Sequence, residues 1–425
     1  MIDKWTEYLE KGVSPYHTVA FCEERLLEKG FQKLSKDTAF DVKAGQGYYV
    51  KPYDTMLVAF AIGEKITDGR MHLACAHTDS PCFRLKPNPE LPVQSGYVQV
   101  NVEPYGGMLK RSWFDRPLGV AGRVLVKSED VYAPRELMFD SEVPWFVLPS
   151  LAPHMDRDIE KKELDVQKEC MPILTVLNTG KTCDIGVLLN AVAKKLAVNI
   201  EDILDFDLYL YNQQAISQVG LEQDMMLAPR IDNLASVAAL TDGIAVPKQD
   251  YDISMIALFD NEEIGSRSKQ GADSVLLNWV VEKLFESPLF AKVSFKDAMM
   301  KSMMLSVDGA HGLHPNYKEK SDGYNTSVLG SGVVFKSSAS QRYLTDSKAT
   351  AILMQLCDAN GIAYQKQANR SGNPGGQTLG PIAASYLPML GMDLGLPMLA
   401  MHSSMELIHE QDYKALETLM RVWLS

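Results

Sequence analysis

The chain has 425 residues, with 42 Lys+Arg against 54 Asp+Glu, a formal charge of −12. At ~100–200 residues per domain, that length allows two or three domains, or one large catalytic domain with an insertion. The acidic balance excludes a nucleic-acid binder, which needs a basic surface to displace counterions, and an apolar share of 46% with 23% charged residues is that of an ordinary soluble globular protein.

In chain order, Ser14-Pro15 marks a turn ahead of an amphipathic helix that Gly30 ends. Residues 55–62 (TMLVAFAI) and 72–76 (HLACA) are short apolar runs that read as buried strands. From about residue 89 the character changes. Residues 96–102 and 119–127 alternate in strand fashion, 156–169 is a charged, solvated stretch, 184–198 is an amphipathic helix and 205–211 a strand. Residues 89–225 therefore read as a separate β-rich module.

After it, strands and helices alternate. Asp232 opens a helical run, 253–259 is a strand, 273–286 a helix, 303–307 a strand, 345–360 and 381–390 helices, and 398–401 (MLAM) a strand. The fold class expected is α/β, with a mostly parallel sheet covered by helices on both faces. The Gly-rich stretch 371–381 lacks the Gly-Lys-Ser/Thr ending of a phosphate loop.

No run of ~18 apolar residues is present for a membrane span. The start, MIDKWTEYLEKG, has no basic segment leading into an apolar one, so no signal peptide is expected. The six cysteines, Cys22, Cys75, Cys82, Cys170, Cys183 and Cys357, show no pairing pattern and fit buried thiols in a reducing cytoplasm. Cys75 and Cys82 lack the second close pair of a zinc ribbon.

The chemistry lies at the strand ends. HLACA runs into His77-Thr78-Asp79, ISMIALF into Asp260-Asn261-Glu262-Glu263, MMLSV into Asp308 and MLAM into His402, while Asp232 starts a helix. Open α/β sheets place ligands at the carboxyl ends of parallel strands, so these groups converge on one crevice. Two histidines, three carboxylates and a further glutamate suit two divalent ions of the zinc class, one carboxylate bridging them. Asp79 is placed to accept the second ring N–H of His77. Glu262 and Glu263 are expected to diverge, one binding metal and the other holding a water. Singly, Asp232 reads as a helix cap, His77 as a buried histidine and Glu262-Glu263 as a solvated acidic pair. Their coincidence at one sheet edge makes the case.

These residues resemble the M18 family of metallo-aminopeptidases, which includes aspartyl aminopeptidase. The strings that carry the resemblance are His77–Pro81 (HTDSP), Arg230–Asn233 (RIDN), Asp260–Ser266 (DNEEIGS), Asp308 followed by Ala310–Tyr317 (AHGLHPNY), Ser340–Tyr343 (SQRY) and Ala400–Ser403 (AMHS). The resemblance implies two zinc ions per subunit, with cobalt or manganese as substitutes. His77 and Asp308 would hold one, Glu263 and His402 the other, and Asp232 would bridge. It makes Glu262 the general base, and Asp79 the partner that orients His77. It places a β-rich dimerisation domain at 89–225 inside a catalytic domain of 1–88 and 226–425. His154, in Leu151-Ala152-Pro153-His154, would reach the neighbouring subunit's site, and Lys336 would meet an acidic substrate side chain. His311 and His409 are taken as structural.

The function so implied is a zinc aminopeptidase removing acidic or neutral N-terminal residues from peptides with a free N-terminus, in a cytoplasmic homo-oligomer, a dodecamer built from dimers. The alternatives are a related dimetal carboxypeptidase or N-acyl amino acid deacylase, and a non-enzymatic assembly scaffold.

Overall fold

The computed structural model describes residues 4–177, 186–246, 252–373 and 375–425. Cys183 and the first two residues of the expected 184–198 helix lie outside the described residues. The chain forms two compact units: Met1–Ser80 with Ile216–Met401 and Glu406–Ser425, and Pro81–Ala215 with His402–Met405.

The first unit is built on a nine-stranded sheet. Its strands lie in the order Gln32–Lys33, Gly47–Tyr53, Met56–Ile62, Ile253–Phe259, Met71–His77, Met303–Val307, Leu390–Gly395, Val333–Ser337 and Tyr364–Ala368. The central strands Ile253–Phe259, Met71–His77, Met303–Val307 and Leu390–Gly395 run parallel. This is the expected α/β class. Alternate residues of each strand enter opposite cores, as period-two geometry requires. Ala74, Ala76, Ile256 and Leu305 pack with Leu234 and Leu240 of helix Ile231–Gly243 and Leu416 and Leu419 of helix Glu410–Trp423. Leu73, Cys75, Met255 and Met304 pack with Val280 and Leu284 of helix Leu276–Phe285 and Ala383 of helix Leu379–Tyr386. Burial on both faces explains why these strands are continuous apolar runs. Each buried large aliphatic side chain stabilises by ~1.5–3 kcal/mol.

The helix after Ser14 spans Pro15–Glu28 and is capped as its sequence predicts. Ser14 Oγ accepts the His17 N–H, Pro15 occupies the first turn, and Gly30 has a φ of 82° just beyond the end. The last helix is tied to the sheet by Trp423, whose ring stacks on His72 at 3.9 Å and donates its indole N–H to the Leu73 carbonyl.

Several expectations need correction. The strand Leu390–Gly395 lies where a helix over 381–390 ends and the loop before 398–401 was expected, and the helix there is Leu379–Tyr386. Pro388 and the glycines at 391 and 395 break helical periodicity without marking a strand. MLAM is no core strand: Pro397–Met398 pairs with Ala310–His311 in a separate two-stranded sheet, and Leu399 makes an isolated bridge to Leu407. Gly47–Tyr53, Val333–Ser337 and Tyr364–Ala368 are strands that patterning missed, because Lys336, Lys366 and their polar neighbours interrupt the apolar signal.

The second unit is a six-stranded antiparallel sheet in the order Arg135–Asp140, Leu118–Val126, Ile203–Asn212, Cys82–Glu90, Tyr97–Tyr105 and Ile173–Val176. A cut at residue 89 would fall inside the strand Cys82–Glu90; the unit boundary lies at Pro81. Gly122 is required where its strand crosses Ile203–Asn212. A Cβ there would stand 1.9 Å from the Asp207 carbonyl oxygen. Helix Val187–Leu196 starts on Glu90, whose two carboxylate oxygens accept the N–H groups of Gly186 through Leu189.

Candidate functional site

The strand ends of the first unit carry the acidic and histidine groups. His77 is the last residue of Met71–His77 and pairs in register with Phe259. The chain leaves this strand under tight control: the Thr78 N–H donates to the Phe259 carbonyl, and its hydroxyl donates to the Thr55 carbonyl at 3.0 Å. His77 and Asp79 are both buried. His77 Nδ1 lies 3.0 Å from the Asp79 carbonyl and 3.3 Å from the Asp79 carboxylate. These acceptors hold the Nδ1 proton, so Nε2 is the ring nitrogen that a cation would take, displacing the proton it carries.

Nε2 faces two carboxylates. Asp308 Oδ1 is 3.3 Å from Nε2 and Asp232 Oδ1 is 3.4 Å away. Asp308 directly follows the strand Met303–Val307, and its own Oδ1 accepts the Gly309 N–H. Asp232 starts the helix Ile231–Gly243 with non-helical φ and ψ, so regular turns begin after Asn233. Its backbone is held from two sides: the Ser80 hydroxyl donates to its carbonyl at 2.8 Å, and its N–H donates to Glu406 Oε2 at 2.9 Å. Asn233 donates to the Val307 carbonyl, which ties the helix start to the end of the Asp308 strand. Ser80, Asn233 and Glu406 were not singled out from sequence as support for Asp232. Ser80 and Asn233 sit inside the HTDSP and RIDN strings. Glu406 carries no local signal.

Glu262 and Glu263 stand on a short 3-10 turn, Glu262–Ile264, after Asn261 at φ 62°. Asp79 accepts both of their backbone N–H groups, Glu262 on Oδ1 and Glu263 on Oδ2. One oxygen of each carboxylate and a ring nitrogen of His77 lie within 4.8 Å of one another. The ligand atoms of His77, Asp232 and Asp308 form a second such group.

Electrostatics follow from this crowding. Glu262 is pushed up to about 8, by burial first; His77 opposes the rise, while Asp308, Asp79 and Asp232 add to it. Glu263 is raised well above the carboxylate range by burial and by Asp232. Asp260 is raised to about 7 by burial and by the Asp79 charge. Burial works against the His77 imidazolium, but Asp232, Asp308 and Asp79 hold its pKa well above the usual value. Burial also opposes the Asp308 anion, yet Lys336 and His77 hold its carboxyl well below the usual range. Carboxylates with a histidine ring nitrogen aimed between two of them are a site that a divalent cation would satisfy. The mixed imidazole and carboxylate donors fit zinc. His77, Asp232 and Asp308 would hold such an ion, with Glu263 a further donor.

Lys336, in the strand Val333–Ser337, is 3% exposed. Its Nζ lies 3.7 Å from Asp308 Oδ2 and 5.6 Å from the centre of the Tyr343 ring.

His402 and His154 belong to the second unit. His402 has a φ of 67° and directs Nδ1 at the Gly107 carbonyl, 3.1 Å away. It does not end a core strand, as expected, because the segment before it is the short Pro397–Met398 bridge. His154 is exposed in a turn. His409, taken as structural, caps the last helix by accepting the Gln411 N–H and faces Asp224 at 3.2 Å. His311 lies on the short strand Ala310–His311 and is exposed.

Comparison with known proteins adds an independent line. The family profile described as "Aminopeptidase I zinc metalloprotease (M18)" matches residues 8–423. A relative from Clostridium novyi (strain NT), "Probable M18 family aminopeptidase 2", is 37% identical over 409 residues, covering 96% of this chain and 94% of the relative. A protein of the same name from Ectopseudomonas mendocina (strain ymp) is 35% identical and spans 100% of this chain and 98% of its own. Among solved structures, the cryo-EM structure of the Ape4 and Nbr1 complex superposes with a TM-score of 0.91 at 31% identity, covering 99% of this chain and 84% of that one. The S. cerevesiae mApe1 dodecamer gives 0.83 at 26% identity, over 99% and 95%.

Proposed function

This chain belongs to the M18 family of zinc metallo-aminopeptidases, and from that premise we propose that it removes acidic or neutral N-terminal residues from peptides with a pair of zinc ions and Glu262 as general base. The observation that carries the reading is His77 Nε2 facing Asp308 and Asp232 at 3.3 and 3.4 Å.

His77 and Asp308 would hold one ion, Glu263 and His402 the other, with Asp232 between them. The Gly107 carbonyl at His402 Nδ1 supports that role, since a metal-binding histidine is fixed by a partner on its other nitrogen. When bound, the ions supply Lewis acidity that lowers the pKa of a water and polarises a carbonyl. Glu262 takes a proton from the attacking water on its carboxylate and delivers it to the leaving amine. Asp79 keeps both the His77 ring and the Glu262 turn in place for that transfer. His154 of an adjacent subunit donates a hydrogen bond to the oxyanion. Lys336 supplies the positive charge for an acidic substrate side chain, supported by its place beside Asp308.

A homo-oligomer is part of the proposal, supported by the dodecamer of the mApe1 relative. A cytoplasmic setting is supported by the buried thiols of Cys22, Cys75, Cys82, Cys170 and Cys357. Among the described residues, no helix is long and apolar enough to cross a membrane.

The test is a panel of Asp-, Glu- and Leu-derived amides with zinc-loaded protein, beside N-acetylated versions of the same compounds. Cleavage of the free-amine compounds alone is expected. Turnover that survives acetylation would point to the deacylase or carboxypeptidase alternative, and no turnover on any compound would overturn the reading.

A further inference from the structure

We infer that Asp393 is a positioning residue for Lys336: it balances the buried Lys336 charge and so leaves Asp308 able to take a cation. This rests on the metal centre proposed above.

The strand Leu390–Gly395 lies between Met303–Val307 and Val333–Ser337. Its antiparallel register sets Phe335 against Leu394 and Val334 against Gly395. Lys336 directly follows Phe335 and Asp393 directly precedes Leu394, so they are neighbours across the two strands. Opposed residues on paired strands point to the same face of the sheet. Both are buried, Lys336 at 3% and Asp393 at 0% exposure. Lys336 reaches from this row to Asp308, with Nζ 3.7 Å from Oδ2. The buried ammonium therefore lies beside the Asp308 carboxylate and within the field of Asp393 on the adjoining strand.

Asp393 is fixed in place by its surroundings. Its Oδ2 accepts the Leu344 N–H at 2.6 Å, and its backbone N–H donates to Thr345 Oγ1 at 3.0 Å. Gly380 abuts it so closely that a Cβ there would lie 2.7 Å from Oδ2. The Leu344 bond also anchors the segment that carries Tyr343, whose ring lies beside the Lys336 ammonium. Burial raises the Asp393 pKa and the Lys336 charge opposes that rise, in keeping with a mutual pair.

The consequence concerns charge. A buried ammonium acting on Asp308 alone opposes a dication bound at the same carboxylate. A second carboxylate on the adjoining strand offsets that repulsion. Asp393 would thus act on the cation through Lys336, without touching it.

The test is zinc affinity, measured on the purified full chain by competition with a fluorescent chelator at fixed pH and ionic strength. Asp393→Asn keeps an acceptor for the Leu344 N–H and removes the charge. Zinc affinity should fall roughly tenfold or more in Asp393→Asn and rise in Lys336→Met. In the Lys336→Met background, adding Asp393→Asn should change affinity by less than about twofold, because the charge it balanced is gone. A purely structural role predicts the same loss in both backgrounds. That result, or unchanged affinity in the single variant, overturns the inference. If Asp393→Asn does not fold, Lys336→Met decides alone, and unchanged or weakened zinc binding there refutes it. His77→Ala runs in parallel. If it leaves zinc affinity intact, the metal centre and this inference both fail. If it abolishes binding while Asp393 and Lys336 act independently, only the positioning role is lost.

Discussion

Asp79 Oδ1 accepts the backbone N–H of Glu262 at 3.2 Å. The same side chain takes the Glu263 N–H on its other oxygen and stands 3.3 Å from His77 Nδ1. One buried carboxylate thus sets the ring of a strand-end histidine and the turn carrying two glutamates. Asp79→Asn replaces one acceptor by an amide NH₂ that cannot accept either N–H. Zinc affinity or kcat/KM should fall about 10- to 100-fold, the usual cost of losing a partner behind a metal ligand. Chelator competition and steady-state kinetics measure this, with far-UV circular dichroism as the folding control. Wild-type values for both would show that Asp79 is only a core carboxylate.

Glu262→Gln separates the base from the metal donors. Glutamine keeps the shape of the side chain but cannot carry the proton. Turnover should fall about 10²- to 10⁴-fold while zinc per subunit stays at the wild-type value. Elemental analysis and kinetics on the same preparation decide it. A variant that loses zinc in step with activity would make Glu262 a ligand instead.

Removal of metal should make stability depend on pH in a defined direction. In the metal-free chain Glu262 sits at about 8 and Glu263 well above the carboxylate range, burial being the first cause for both. An unfolded glutamate titrates near ~4.3. The folded chain therefore holds protons that the unfolded chain has released. Their contribution is complete below about 4.3 and is lost as pH rises through 8. The depressed Asp308 acts above its unfolded value and is already constant by pH 6. Chelator-treated protein should melt several degrees lower at pH 8 than at pH 6, and Glu262→Gln should flatten that difference. Zinc, which displaces protons from its ligands, should raise the Tm more at pH 8 than at pH 6. Equal melting temperatures at both pH values in the metal-free wild type would contradict the crowding.

How far the sequence could be read depended on whether a residue's partners were local. His77, Asp260 and Asp308 were legible because each directly follows an apolar run buried on both faces. Asp232 was legible as a helix start, but what holds it was not. Glu406 lies 174 residues away and bonds its N–H through tertiary packing. The strand bearing Lys336 was missed because a lysine at a buried strand position contradicts the pattern. It is tolerated there through Asp308, which is 28 positions distant in sequence. The strand with Asp393 was missed because Pro388, Gly391 and Gly395 hide its pattern, and its buried carboxylate is met by Leu344 from a separate loop. His402 was placed on a strand end because MLAM and a true core strand look alike in composition. Only the pairing of Pro397–Met398 with Ala310–His311 distinguishes them.

Gly395 offers a backbone test of the Asp308 position. The Asp308 N–H donates to the Leu394 carbonyl at 3.0 Å, and the chain then passes directly over Gly395. A Cβ at 395 would stand 1.5 Å from the Asp308 carbonyl oxygen and 2.7 Å from its carbonyl carbon. Both obstacles are main chain, so no rotamer change relieves them. Gly395→Ala must push the end of the Met303–Val307 strand away from its neighbour and carry Asp308 with it. The expected cost is about 1–3 kcal/mol or more of stability. Zinc affinity should fall as well, since Asp308 moves relative to His77. Gly323→Ala is the matched control: a Cβ there meets nothing within 4 Å, so its effect should stay within about 0.5 kcal/mol. Urea unfolding and zinc competition on both variants provide the comparison. Should Gly395→Ala unfold at the wild-type urea concentration and bind zinc as tightly as Gly323→Ala, the close passage of Asp308 over residue 395 has no part in holding the site.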